Sequence, residues 1–231
     1  MSVSEENNKM TAQAQSLILD EFDQQKSVDV FFKSSVDEAI DEEQLYRASA
    51  YGLIAALLRA KPEQEMLDHL KGLSPGVVPE GDDLLLAMST LALSADLHSP
   101  ESIDDEFHEL FIGLGKGEVV PYGSWYLTGF LMEKPLSDLR DDLASLGYVR
   151  NASVVEPEDH VAALCEVISL MITGGTELPV QRKFFQAHMA SWMNRFFTDL
   201  SGARSANFYK SVGRFGAAFI AFENEYFSMQ S

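Results

Sequence analysis

Two short runs of this 231-residue chain gather side chains able to act on another molecule. Glu156-Pro157-Glu158-Asp159-His160 sets carboxylates and an imidazole side by side. A carboxylate at the mouth of a cleft would pair with an arginine of a bound peptide through charge-assisted hydrogen bonds. The same run also reads as a helix beginning, with proline in the first turn and carboxylates where the dipole favours negative charge. That structural account covers Pro157, Glu158 and Asp159 and leaves His160 unexplained. The second run is Pro121-Tyr122-Gly123-Ser124-Trp125-Tyr126, a dense aromatic cluster. Aromatics at a loop edge offer a peptide rigid contact area at small entropic cost, although tyrosine and tryptophan packed into a core at a helix start would look the same.

Catalytic chemistry finds little support. Gly113-Leu114-Gly115-Lys116-Gly117 could cradle a phosphate, but it follows a predicted helix rather than a strand and lacks GxxxxGK[ST] or GxGxxG spacing. The histidines His69, His98, His108, His160 and His188 are scattered, with no HExxH, so no metal site is expected. Ser124 has Tyr122 and Tyr126 where a nucleophile elbow would carry glycines. The single cysteine, Cys165, sits among Ala162, Leu164, Val167 and Ile168, which predicts a buried thiol and excludes an intrachain disulfide.

Helices must position these runs. Leu45, Ala48, Leu53, Ala56 and Leu57 recur at a helical period from Glu42, and Pro62 closes that segment. Further helices are predicted over Pro62–Lys71, Asp82–Leu97, Glu101–Phe111, Tyr122–Phe130 and Pro135–Leu146, punctuated by glycine and proline. Pro157 is expected to open a strongly apolar helix to Ile172, stopped by Gly174-Gly175. The stretch Glu177–Phe227 carries phenylalanines at helical spacings, read as core. With no run of alternating β-branched residues, the class is all-α: a single-domain or two-lobed helical bundle. Residues 1–40 form an acidic, partly ordered segment ahead of a helical domain over 41–231. The irregular joint at 148–156 is a hinge candidate that leaves room for helix exchange between protomers.

The formal net charge is −19. Such a chain repels nucleic acid and anionic membranes and favours basic partners, although charge that merely keeps the protein soluble would look the same. The first residues lack the basic start and apolar run of a signal peptide, and no apolar stretch reaches the roughly 20 residues a bilayer requires. A soluble protein of a reducing compartment is expected, as monomer or homodimer.

Taken in order, Phe107-x-x-Leu110-Phe111, Gly113, Pro121-x-x-Ser124-x-Tyr126 and Glu156-Pro157-x-Asp159-His160 resemble the TorD/DmsD/NarJ family of redox-enzyme maturation chaperones, closest to the TorD branch. The resemblance runs from Glu42 to Phe222. It implies a helical, cytoplasmic, non-catalytic protein that binds precursors of molybdenum-cofactor oxidoreductases. Many members hold the precursor's twin-arginine signal peptide, prevent premature export and assist cofactor insertion; the NarJ branch instead serves the mature domain of a non-exported subunit. Some members are associated with weak guanine-nucleotide binding, which here would fall to the Gly113–Gly117 loop. Carried over, the functional residues are Leu110, Phe111, Pro121, Tyr122, Ser124, Trp125, Asp159 and His160, to which position adds Tyr126, Glu156 and Pro157. Val120 stands where many relatives have a second proline. The expected mechanism is an apolar groove of Leu110, Phe111, Tyr122 and Trp125 for the signal's apolar stretch, with Glu156 and Asp159 receiving its arginines.

Overall fold

A computed structural model of the protein describes residues 41–73, 78–113, 117–151 and 154–229. The acidic segment 1–40, expected to be partly ordered, and the centre of the Gly113–Gly117 loop, to which any nucleotide contact would fall, lie outside the described residues. Among the described residues the chain is all helical. The helices are α1 Glu42–Arg59, α2 Gln64–Gly72, α3 Asp83–Leu97, α4 Pro100–Phe107, α5 Gly123–Thr128, α6 Lys134–Ser145, α7 Val161–Thr173, α8 Leu178–His188, α9 Met193–Gly202 and α10 Phe208–Met229. Extended pairing among the described residues is limited to an isolated antiparallel bridge between Tyr122 and His160.

The boundaries follow local chemistry. Asp82 caps α3 by accepting from the Leu85 N–H, and Ser99 and Ser102 form a reciprocal capping box around Pro100 at the start of α4. Gly147 ends the turn after α6 at φ +82°, a conformation that costs glycine nothing. The apolar faces then meet in one continuous core from Ala48 to Phe227. Helix α1 lies against α7, and α10 lies against α9, α3, α4 and α1. Cys165 is fully buried in α7, which pushes its thiol far above the usual range and leaves it inert.

Two expected helices differ in their detail. The helix expected to run to Phe111 gives way after Phe107 to a π-turn, His108–Ile112, closed by the Gly113 N–H donating to the His108 carbonyl at 2.7 Å. The carbonyls of Glu109 and Leu110 instead accept from the N–H groups of Glu118 and Val119. A Cβ on Gly117 would lie 2.5 Å from the Leu110 carbonyl oxygen, so the returning chain can approach only as glycine.

The helix expected to open at Pro157 begins at Val161. The Asp159 carbonyl accepts from Gly123 N–H and Val161 N–H donates to the Pro121 carbonyl, both at 2.9 Å. This pairing holds His160 extended, at φ −63° and ψ 135°, so helical dihedrals cannot start before it. Glu158 and Asp159 therefore do not serve the dipole of α7, and His160 is its cap.

Candidate functional site

The Tyr122–His160 bridge joins the two runs that looked chemical in the sequence. Asp159 is 3% exposed, and its Oδ2 accepts the Ser124 N–H at 2.8 Å, capping the first turn of α5. Its Oδ1 and the fully buried Ser124 Oγ have no protein partner. His160 accepts the Ala162 N–H on Nδ1 at 3.1 Å, which leaves the proton on Nε2. Burial, reinforced by the Arg59 charge, pushes its pKa down to about 3, so the ring is a neutral donor at physiological pH. The Tyr122 ring stands edge-on to His160 at 5.1 Å, and its hydroxyl donates to the Glu156 carboxylate. Burial first, then that carboxylate, raise the Tyr122 hydroxyl well above the phenolic range.

Beside the bridge opens a cleft of about 270 Å³. Leu58 at the end of α1, Phe107 and Phe111 on the π-turned helix, Pro121, Val154 and Ala162 give it an apolar floor. Phe107 and Phe111 pack with ring centroids 5.0 Å apart, and both rest on Tyr209 of α10. Arg59, Tyr122, Arg150, Glu156, Glu158 and His160 line the remainder. Arg59 is paired with Glu166 on α7. Glu158, with a side chain only 9% exposed, receives Arg140 at 2.8 Å and faces Arg150 at 3.6 Å. Burial alone would raise the Glu158 carboxyl, yet the Arg140 hydrogen bonds and neighbouring charges hold it below the usual carboxylate range.

Of the residues singled out in the sequence, Phe111, Pro121, Tyr122, Glu156 and His160 line the cleft. Leu110 is the fully buried residue of the π-turn, whereas Ser124 and Asp159 are buried in the bridge that shapes the wall. Pro157 accepts the His160 N–H on its carbonyl at 3.1 Å. Tyr126 turns away from the cleft, stacking on Trp192 at 5.5 Å and donating to Asp199. Trp125 does not line the cleft either. Sequence reading missed Leu58, Arg59 and Arg150. Nothing local marks them: Arg59 is the end of an amphipathic helix, and Arg150 is one polar residue in an irregular stretch. The motif hinted only at Glu158.

The described residues thus form an all-helical fold with a mixed-charge apolar cleft, and no cluster of metal-binding side chains occurs among them. The sequence model of the family described as nitrate reductase delta subunit matches residues 79–198, about half of the chain, and the chain belongs to that family of TorD- and NarJ-type proteins. The chain is 29% identical over 203 residues to a chaperone protein TorD of Vibrio atlanticus, covering 78% of this chain and 94% of that one. It is 27% identical over 176 residues to the chaperone protein TorD of Vibrio parahaemolyticus, covering 70% and 81%. For that of Aliivibrio salmonicida the identity is 25% over 216 residues, covering 87% and 94%. A crystal structure of a redox enzyme maturation protein from Archaeoglobus fulgidus is similar at a TM-score of 0.49 and 16% identity, over 87% of this chain and 99% of that one.

Proposed function

We propose that the protein is a maturation chaperone that holds the precursor of a molybdenum-cofactor oxidoreductase in the cleft beside the Tyr122–His160 bridge. The carrying observation is that both sequence motifs meet there, giving an apolar floor next to the carboxylates Glu156 and Glu158. A twin-arginine signal segment, basic at its start and apolar beyond, has the complementary chemistry. The similarity to proteins named chaperone protein TorD supports the class. In this reading Phe111 and Tyr122 touch the apolar stretch, and the neutral His160 donates from Nε2 to a peptide carbonyl. Glu156 and Glu158 receive the cations, while Ser124 and Asp159 position the wall. The protein would act in the cytoplasm, holding the precursor until its cofactor is inserted and export can follow.

Calorimetric titration with a synthetic twin-arginine signal peptide, beside a peptide with both arginines replaced by alanine, tests the reading. Micromolar or tighter binding that weakens in the control is expected. Equal affinities would sink the electrostatic half, and no heat from either would sink the whole.

A second epitope has its own observation. Leu127 in the last turn of α5 and Phe130, Leu131 and Met132 after it form an exposed apolar run, with Phe130 68% and Met132 72% exposed. Met132 takes φ 60°, a strained conformation for a side-chain-bearing residue. Such a surface suits a client's mature domain. Retained binding of a client lacking its signal segment would favour that epitope.

A further inference from the structure

The cleft carboxylates are not vacant. Glu158 Oε2 is held closely by Arg140, whose Nε and Nη2 approach to 2.9 and 2.8 Å. Its Oε1 lies 3.6 Å from the Arg150 Nε, beyond hydrogen-bond reach. The same guanidinium donates from Nη1 to the Glu156 backbone carbonyl at a long 3.4 Å. Thus two arginines share one buried carboxylate unequally: Arg140 is hydrogen-bonded, whereas Arg150 is loosely placed, with its side chain 38% exposed.

We propose that Arg150 is a built-in stand-in for the client's cation, occupying the Glu158 Oε1 and Glu156 carbonyl positions until an incoming guanidinium displaces it. This rests on the client-binding reading above and adds a residue that competes with the client's cation. The physical case is one of unequal cost. An ion pair this exposed and this long contributes little, so releasing it is cheap. Arg140 stays hydrogen-bonded to Glu158 Oε2 throughout, so the exchange never leaves the buried carboxylate uncompensated. An arriving arginine carries the same planar fork of donors and can close the 3.6 Å gap into direct hydrogen bonds. An apolar peptide without arginine leaves Arg150 in place, so only an arginine-bearing peptide meets this competition.

The test uses the full chain, the twin-arginine peptide and its alanine control, with three proteins: wild type, Arg150→Met, which keeps the apolar stem, and Arg150→Ala. Both variants are expected to bind the arginine peptide about 3- to 10-fold more tightly than wild type, the size of one weak competing charge contact. The alanine peptide should bind with unchanged affinity. Glu158→Gln should reduce the wild-type preference for arginine several-fold, with melting curves confirming that each protein is folded. If wild type prefers the arginine peptide but neither variant tightens it, the stand-in role is overturned and the client reading survives. Weaker binding of both peptides by both variants would make Arg150 a direct contact and overturn the proposal as well. A wild type indifferent to the arginines overturns both.

Discussion

At the scale of single residues, the family motif divides into groups that face the cleft and groups that build it. Asp159 belongs to the second kind, because its carboxylate is buried against the Ser124 N–H. Asp159→Ala strips a buried donor of its partner, which costs about 1–3 kcal/mol. Thermal unfolding of Asp159→Ala should therefore start several degrees lower, whereas Glu156→Gln, in an exposed pair with Tyr122, should melt like wild type and lose affinity for a cationic peptide. The reverse pattern would reassign the two carboxylates. His160 adds a pH signature. Its folded pKa is pushed down to about 3, below its unfolded value, so the unfolded state binds the extra proton in the interval between. The stabilisation from neutral His160 is fully present above about pH 6.5 and is lost as pH falls toward 3, at up to about 1.4 kcal/mol per unit. Asparagine also caps helices, so His160→Asn should lose less stability than wild type between pH 6.5 and 4 in denaturant titrations. Parallel losses in the two proteins would contradict the neutral-cap assignment.

At the scale of elements, closeness is set by glycine. A Cβ on Gly213 of α10 would sit 2.7 Å from the Ser201 nitrogen and 2.8 Å from the Phe197 carbonyl oxygen, both backbone atoms of α9. One on Gly216 would enter the buried Phe197 ring at 2.2 Å. Gly213→Ala must push the two helices apart and should cost about 1–3 kcal/mol. Gly72→Ala, near the end of α2 with nothing within 4 Å of the new carbon, should be neutral or slightly stabilising in the same denaturant assay. Equal effects at both positions would mean that α9 and α10 do not pack at this distance. The helices themselves were legible in the sequence because their signals are local: apolar period, proline at the first turn, glycine after the last. The π-turn and the delayed start of α7 were not, because each is imposed by a partner distant in sequence. The chain at 117–119 pairs with the Glu109 and Leu110 carbonyls, and Pro121 and Gly123 pair with residues 159–161. The cleft was half legible for the same reason. The motifs named Phe111, Tyr122 and Glu156, but only the folded chain brings Arg59 and Arg150 to them.

At the scale of the molecule, one buried cluster ties the beginning of the described chain to its end. Arg47 of α1 is fully buried and forms a two-pronged pair with Glu223 of α10 at 2.7 and 2.6 Å. Gln181 of α8 accepts from it at 2.9 Å, and the Tyr51 hydroxyl donates to Glu223 at 2.8 Å. The guanidinium also lies over the Tyr226 ring at 4.3 Å. Every charged atom of the pair is thus answered, as burial of charge requires. Because α1 also packs on α7, whose first turn forms the cleft wall, this pair joins the site's scaffold to the C-terminal helix. Removing one partner leaves the other buried and uncompensated, so Glu223→Leu alone and Arg47→Met alone should each lose about 3–5 kcal/mol. The double variant replaces charge by apolar volume and should recover most of that loss, giving a coupling comparable to either single cost. Chemical denaturation of the four proteins measures it. Additive losses would mean that the two side chains do not pair in solution and that the ends of the described fold are held together by apolar packing alone.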